Sequence, residues 1–314
     1  MCNMIRAAQS SPLFILLLVT RNQALLHGRL KWYAVNMLLV LASLAAGPVV
    51  AQVTINVTVS DTAGVTNPTT TNLTNAIVDN VKASINEWCK YIAITGPRSI
   101  EVVVRFKPMA LRGSGRSLTT SLVRIENGTW IYEQGVAAEL RTGIDPNGPD
   151  LYDVEIVFEP TYLRDTIWFD PNPNMRVAAV PANRLDSMSF FLHEFGHALG
   201  FNGWKDATTG NLPGTYQSTY DYFARFDGAN WFFHGNETMG LWGAELPLSR
   251  VNNNGNYAFE YTHYGNPSGL GADRLLVDGL MNGVYFRNAT RYYIGLLDIA
   301  IIRDIGIDGP PPGC

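Results

Sequence analysis

The stretch His193-Glu194-Phe195-Gly196-His197-Ala198-Leu199-Gly200 constrains this chain more than any other. Residues four apart on a helix share one face, so the two imidazoles point the same way, one turn apart. That spacing lets both rings reach a single Zn²⁺ at about 2.0–2.1 Å. Glu194 directly follows the first histidine, where a carboxylate can reach a water on the metal without binding the metal itself. With 5 His and 11 Glu in 314 residues, H-E-x-x-H arises by chance in about three such sequences per thousand, so the motif is informative despite its brevity. Ser187 to Leu199 contains no proline, and Asp186 is placed as an N-cap before an apolar run. Gly200, three residues after His197, suits a helix end in a left-handed turn.

A catalytic zinc takes three protein ligands and keeps one position open. The motif supplies two. In the longer pattern H-E-x-x-H-x-x-G-x-x-H the third falls at position 203, and here that residue is Gly203, which has nothing to coordinate with. Beyond the motif pair, the histidines after residue 51 are His234 and His263, and Glu237 and Glu245 are carboxylate alternatives. His263 lies in Tyr-Thr-His-Tyr-Gly-Asn, upstream of Gly279-Leu280-Met281-Asn282-Gly283.

Together these features resemble the metzincin clan of zinc metalloproteases. Leishmanolysin and similar secreted metalloproteases are the nearest likeness: an H-E-x-x-H-A-L-G-F start, completed here by Phe201, a long insertion, a third histidine and a Leu-Met turn. Ile294 to Gly306 is similar to the helix that closes such domains. The likeness runs from about Ser187 to Gly306 in islands; the N-terminal part matches only in its order of elements. The resemblance implies Zn²⁺ held by His193, His197 and His263, with Met281 in a turn beneath it and Glu194 as general base. It also implies a protein or peptide substrate laid along a sheet edge by strand addition. A carboxylate third ligand would make the site thermolysin-like, which Gly200 and Met281 oppose. An inactive zinc-holding relative, or a secreted zinc hydrolase of a non-peptide bond, are the competing readings.

The first fifty residues carry four basic residues (Arg6, Arg21, Arg29, Lys31) and no acidic one. Arg29-Leu30-Lys31 precedes an apolar run from Trp32 to Gly47, and Val49-Val50-Ala51 offers small residues where a signal peptidase reads. Residues 1–51 therefore read as a secretory leader, with an earlier apolar run at Leu13 to Val19. Removing 51 of 314 residues leaves 263; losing four bases and no acid moves the net charge from −4 to −8. That balance excludes an ordinary nucleic-acid binder, which shows a basic excess. No segment after the leader is long and apolar enough to span a bilayer. Asn56, Asn72, Asn127, Asn236 and Asn288 head glycosylation sequons. Cys89 and Cys314 either join in one disulfide or stand as free thiols.

Val53 to Ser60 alternates like a strand, and Leu73 to Ile92 has helical spacing through Ile77, Val81, Ile85, Trp88 and Ile92. Ile100 to Phe106 and Asp153 to Phe158 read as strands. Leu111 to Thr120, Gly143 to Asp150 and Asp170 to Asn174 read as loops. The order predicts an α/β (α+β) fold: a metzincin-like zincin domain whose twisted, mostly parallel sheet backs the motif helix. An N-terminal catalytic subdomain would span 52–200. A loop-rich C-terminal subdomain over 201–308 would bring the third ligand, the Met-turn and a closing helix over Ile294 to Ile305, before a proline-rich tail at 309–314. Tyr216, Tyr220, Tyr222, Phe223, Trp231, Phe232, Phe233 and Trp242 are expected to form a small second core.

Overall fold

The computed structural model describes residues 52–61, 64–65, 71–109, 112–249, 261–265, 276, 278–283 and 286–310. The leader expected at 1–51 and Cys314 lie outside the described residues. Residues 51–314 form one compact unit.

The first described elements are β1 (Val53–Ser60), the long helix α1 (Thr71–Cys89) and β2 (Arg98–Phe106). Next come β3 (Gly113–Ser117), a hairpin of β4 (Thr120–Glu126) and β5 (Thr129–Gln134), and α2 (Gly135–Thr142). Then follow β6 (Val154–Phe158), the short α3 (Pro160–Asp165) and the two-residue strands β7 (Ile167–Trp168) and β8 (Leu185–Asp186). The motif helix α4 is Ser187–Leu199. Beyond it lie β9 (Tyr216–Ser218), α5 (Thr219–Phe223), β10 (Ala224–Phe226), β11 (Trp231–Phe233), α6 (Asn236–Trp242), β12 (Leu246–Leu248) and α7 (Leu296–Asp304). The class is mixed α+β.

The main sheet has the order β1-β2-β6-β3. β1, β2 and β6 run parallel, and β3 closes the edge antiparallel to β6, with Gly113 opposite Phe158 and Ser117 opposite Val154. All five residues of β6 are buried, as befits a strand covered on both faces. Helices α1 and α4 pack on each other. Trp88, fully buried at the end of α1, donates its indole N–H to Leu192 O at 2.8 Å, and Ser187 Oγ donates to Asn80 Oδ1 at 2.7 Å.

Residues 111–120 were expected to be a surface loop because Gly-Ser-Gly-Arg-Ser lacks the β-branched residues of a strand. Residues 113–117 of that stretch are instead the edge strand β3. A Cβ on Gly115 would stand 2.0 Å from Glu194 O, and one on Gly113 would stand 2.1 Å from the Phe190 ring. The glycines let β3 lie directly on α4. The ending of α4 also differs from expectation. Gly200 has φ 169, extended rather than left-handed. Its lack of a side chain serves packing, since a Cβ there would meet Ile305 Cδ1 of the closing segment at 2.1 Å.

The aromatics after Gly200 do not form a core of their own. Tyr220, Trp231 and Phe233 are buried in the same apolar cluster as Val81, Ile156 and Phe195, while Tyr216 is exposed. Among the described residues no helix is long and apolar enough to cross a membrane. Cys89 lies at the end of α1, where burial pushes its thiol up to about 12.

Candidate metal centre

Asp186 starts α4. Its carboxylate accepts Ser189 N–H at 3.1 Å and Ser189 Oγ–H at 2.7 Å, and pairs with Arg176 at 2.7 Å and Arg291 at 3.3 Å. This cap holds the helix end that begins two turns before the motif. One turn separates His193 from His197, and their Nε2 atoms stand 3.2 Å apart. His263 arrives from a segment tied on both sides. Ser249 N–H donates to His263 O at 2.8 Å, and Tyr264 N–H donates to Met281 O at 3.1 Å. That places His263 Nε2 at 3.1 Å from both other Nε2 atoms.

The far nitrogens of the motif pair fix the character of this triangle. His193 Nδ1–H donates to Leu280 O at 2.8 Å and His197 Nδ1–H donates to Phe201 O at 2.6 Å. A carbonyl oxygen only accepts, so each Nδ1 carries the proton and each neutral Nε2 is a bare lone pair. Burial, with His197 beside it, holds His193 down at about 3; burial holds His197 down at about 4, so both rings are neutral. Two lone pairs facing one another at 3.2 Å repel unless a cation lies between them. Donors on a tetrahedral ion at 2.0–2.1 Å stand about 3.3–3.4 Å from each other. The observed triangle fits such an ion within a few tenths of an ångström.

Glu194 is buried. Burial pushes its carboxyl up to about 8, against the pull of the Gly115 N–H of β3. The base position and the sheet edge are thus joined by one hydrogen bond. Met281 is fully buried below the helix; a Cβ on Gly196 would stand 2.6 Å from its sulfur. Glycine between the two histidines leaves room for that thioether.

The other candidates fall elsewhere. His234 is outside the triangle, its ring against Phe223. Glu245 pairs with Arg225, and Glu237 is exposed at the start of α6. At Gly203 a Cβ would meet Tyr261 Oη at 2.2 Å, so the position that lacks a ligand makes room for the tyrosine two residues before His263. No residue pattern signals the Leu280 and Phe201 carbonyls, because backbone groups carry none. The sequence also left Asp298 without a role. Asp298 accepts Gly295 N–H at 2.7 Å, Tyr264 O–H at 2.9 Å and Met281 N–H at 3.3 Å, pinning the third-histidine segment to the methionine turn.

No protein-family model matches this chain, and no curated protein matches it in sequence. The functional reading therefore rests on the geometry.

Proposed function

We propose that this chain is a secreted zinc-dependent endopeptidase of metzincin type, with His193, His197 and His263 as the metal ligands. The observation that carries the reading is the triangle of Nε2 atoms at 3.1–3.2 Å, two of them fixed as bare lone pairs by backbone carbonyls. Among the described residues the grouped donors are three imidazole nitrogens, a set that suits zinc rather than calcium or magnesium. Three protein ligands, not four, leave a corner for chemistry, and a purely structural site would have no use for Glu194. When bound, zinc supplies Lewis acidity that polarises a carbonyl and acidifies a water.

The remaining work belongs to the chain. Glu194 takes the water's proton and returns it to the leaving amine. The Gly115 N–H, donating to Glu194, favours its charged form and orients it. Among the described residues β3 is the edge of the main sheet, and an extended peptide would add to it as a further strand. Met281 and Asp298 keep the third ligand's segment in register.

The test is cleavage of casein by zinc-loaded protein. Wild type should cleave, lose activity to a chelator and regain it with zinc. Glu194→Gln should keep its zinc and lose about 10²–10⁴-fold in rate. A Glu194→Gln protein that cleaves as fast as wild type, or a wild type that hydrolyses only non-peptide bonds, would overturn the proposal.

A further inference from the structure

A second cluster of metal-type ligands lies at the other end of the sheet's helical cover. Glu139 on α2, Asp145 in the loop after it and Asp153 just before β6 place carboxylate oxygens all within 4.8 Å of one another. Glu139 and Asp153 are 5% and 0% exposed. Two acceptor atoms of the cluster, Glu139 Oε2 and Asp153 Oδ1, are buried with no hydrogen-bond partner, as is Asn147 Oδ1 in the loop that carries Asp145. Burying acceptors unpaired is costly, and burying clustered carboxylates more so. Among the described residues no ion pair to these carboxylates offsets it, and the Arg98 charge only partly counters the burial of Glu139. Arg98, the nearest base, donates to the carbonyls of Leu140, Pro97 and Thr95 and forms no ion pair with the cluster.

The surrounding backbone is already arranged to hold these oxygens. Asp145 Oδ1 accepts the N–H groups of Asn147 (2.9 Å) and Gly148 (2.8 Å). Asn147 Nδ2 donates to Tyr152 O at 3.1 Å, which leaves its oxygen as the unpartnered end. Asp153 Oδ2 accepts Glu101 N–H at 2.7 Å, leaving Oδ1 over. Gly143 (φ 78) and Gly148 (φ 87) make the turns that fold the loop back on itself.

We propose that Glu139, Asp145, Asn147 and Asp153 bind a calcium ion that staples the 143–150 loop to α2 and β6. All the donors are oxygens, three carboxylates and one amide, a hard set with no nitrogen or sulfur to favour zinc. Oxygens sharing one calcium at 2.3–2.6 Å stand at most about 4.6–5.2 Å apart, which matches the cluster. Magnesium needs near-ideal octahedral geometry at shorter distances and sheds water reluctantly, so a mixed loop-and-helix site favours calcium. The site is separate from the histidine triangle, and neither assignment depends on the other.

The experiment is CaCl2 titration of the full-length protein in calcium-free buffer at neutral pH, by calorimetry and by thermal unfolding. One calcium per chain should bind, and saturating CaCl2 should raise Tm by roughly 5–10 °C. Asp145→Asn keeps the oxygen that accepts from Asn147 and Gly148, so it should fold, with Tm in calcium-free buffer near wild type. Its calcium affinity should fall at least tenfold. His263→Ala should keep the calcium response whether or not it loses zinc. No heat and no Tm rise in wild type up to about 10 mM CaCl2, an equal response to MgCl2, or unweakened binding in Asp145→Asn would each overturn the assignment.

Discussion

Asp298 is fully buried on the first turn of α7 and takes hydrogen bonds from Gly295 N–H, Tyr264 O–H and Met281 N–H. Burial outweighs those three donors and pushes its carboxyl up to about 6. A group whose pKa is higher folded than unfolded adds stability below its unfolded value, about 3.9, and loses it as pH rises through the folded value. Asn at this position cannot titrate. The cost of Asp298→Asn should therefore be greater near pH 4 than near pH 7, by roughly 2 kcal/mol. Urea unfolding of both proteins at the two pH values checks this. An equal cost at both would mean that folding leaves the Asp298 carboxyl at its unfolded pKa. Tyr264 is the titratable side chain it touches, and burial holds that phenol neutral. The same residue scale explains the histidines. Carbonyls from Leu280 and Phe201 select the tautomer, and the tautomer turns the bare Nε2 lone pairs toward one another.

At the scale of elements, the contact between β3 and α4 is the decisive one. Gly115→Ala would drive a Cβ to 2.0 Å from Glu194 O and 2.5 Å from its carbonyl carbon, both backbone, so strand and helix must part. A loss of about 1–3 kcal/mol follows, together with a fall in casein cleavage. Gly240→Ala in α6, where a Cβ meets nothing within 4 Å, should stabilise slightly or leave stability unchanged. Denaturant midpoints settle the comparison; a Gly115→Ala protein as stable as wild type would contradict the packing account. This contact also shows where sequence stops being informative. β1 and α4 were legible to the residue, because their periodicity and the Asp186 cap are local. β3 was not, because its glycines answer to a helix some eighty positions away. Gly200 was read as a left-handed cap when it makes room for Ile305. The two motif histidines and Glu194 were plain in the sequence. Joining His263 to them took a resemblance to a known family, since no local pattern links residues so far apart. The Glu139–Asp153 cluster gave no sign at all, its members being scattered over a helix, a loop and a strand start.

At the scale of the molecule, one apolar cluster runs from α1 and the main sheet through α4 to Trp231, Leu280 and Ile302. The parts before and after Gly200 therefore share a core, and the triangle is a further junction between them. His193 and His197 come from one side, and His263 comes from the segment held by β12, the methionine turn and Asp298. A metal at that junction draws its ligands from both, so it ties chain segments as well as supplying chemistry. Zinc quantitation on purified protein tests this most directly, with His263→Ala and His234→Ala measured beside wild type. The account predicts one zinc per chain in wild type and in His234→Ala, and its loss in His263→Ala. Full zinc in His263→Ala, or none in a folded wild type supplied with the metal, would contradict it.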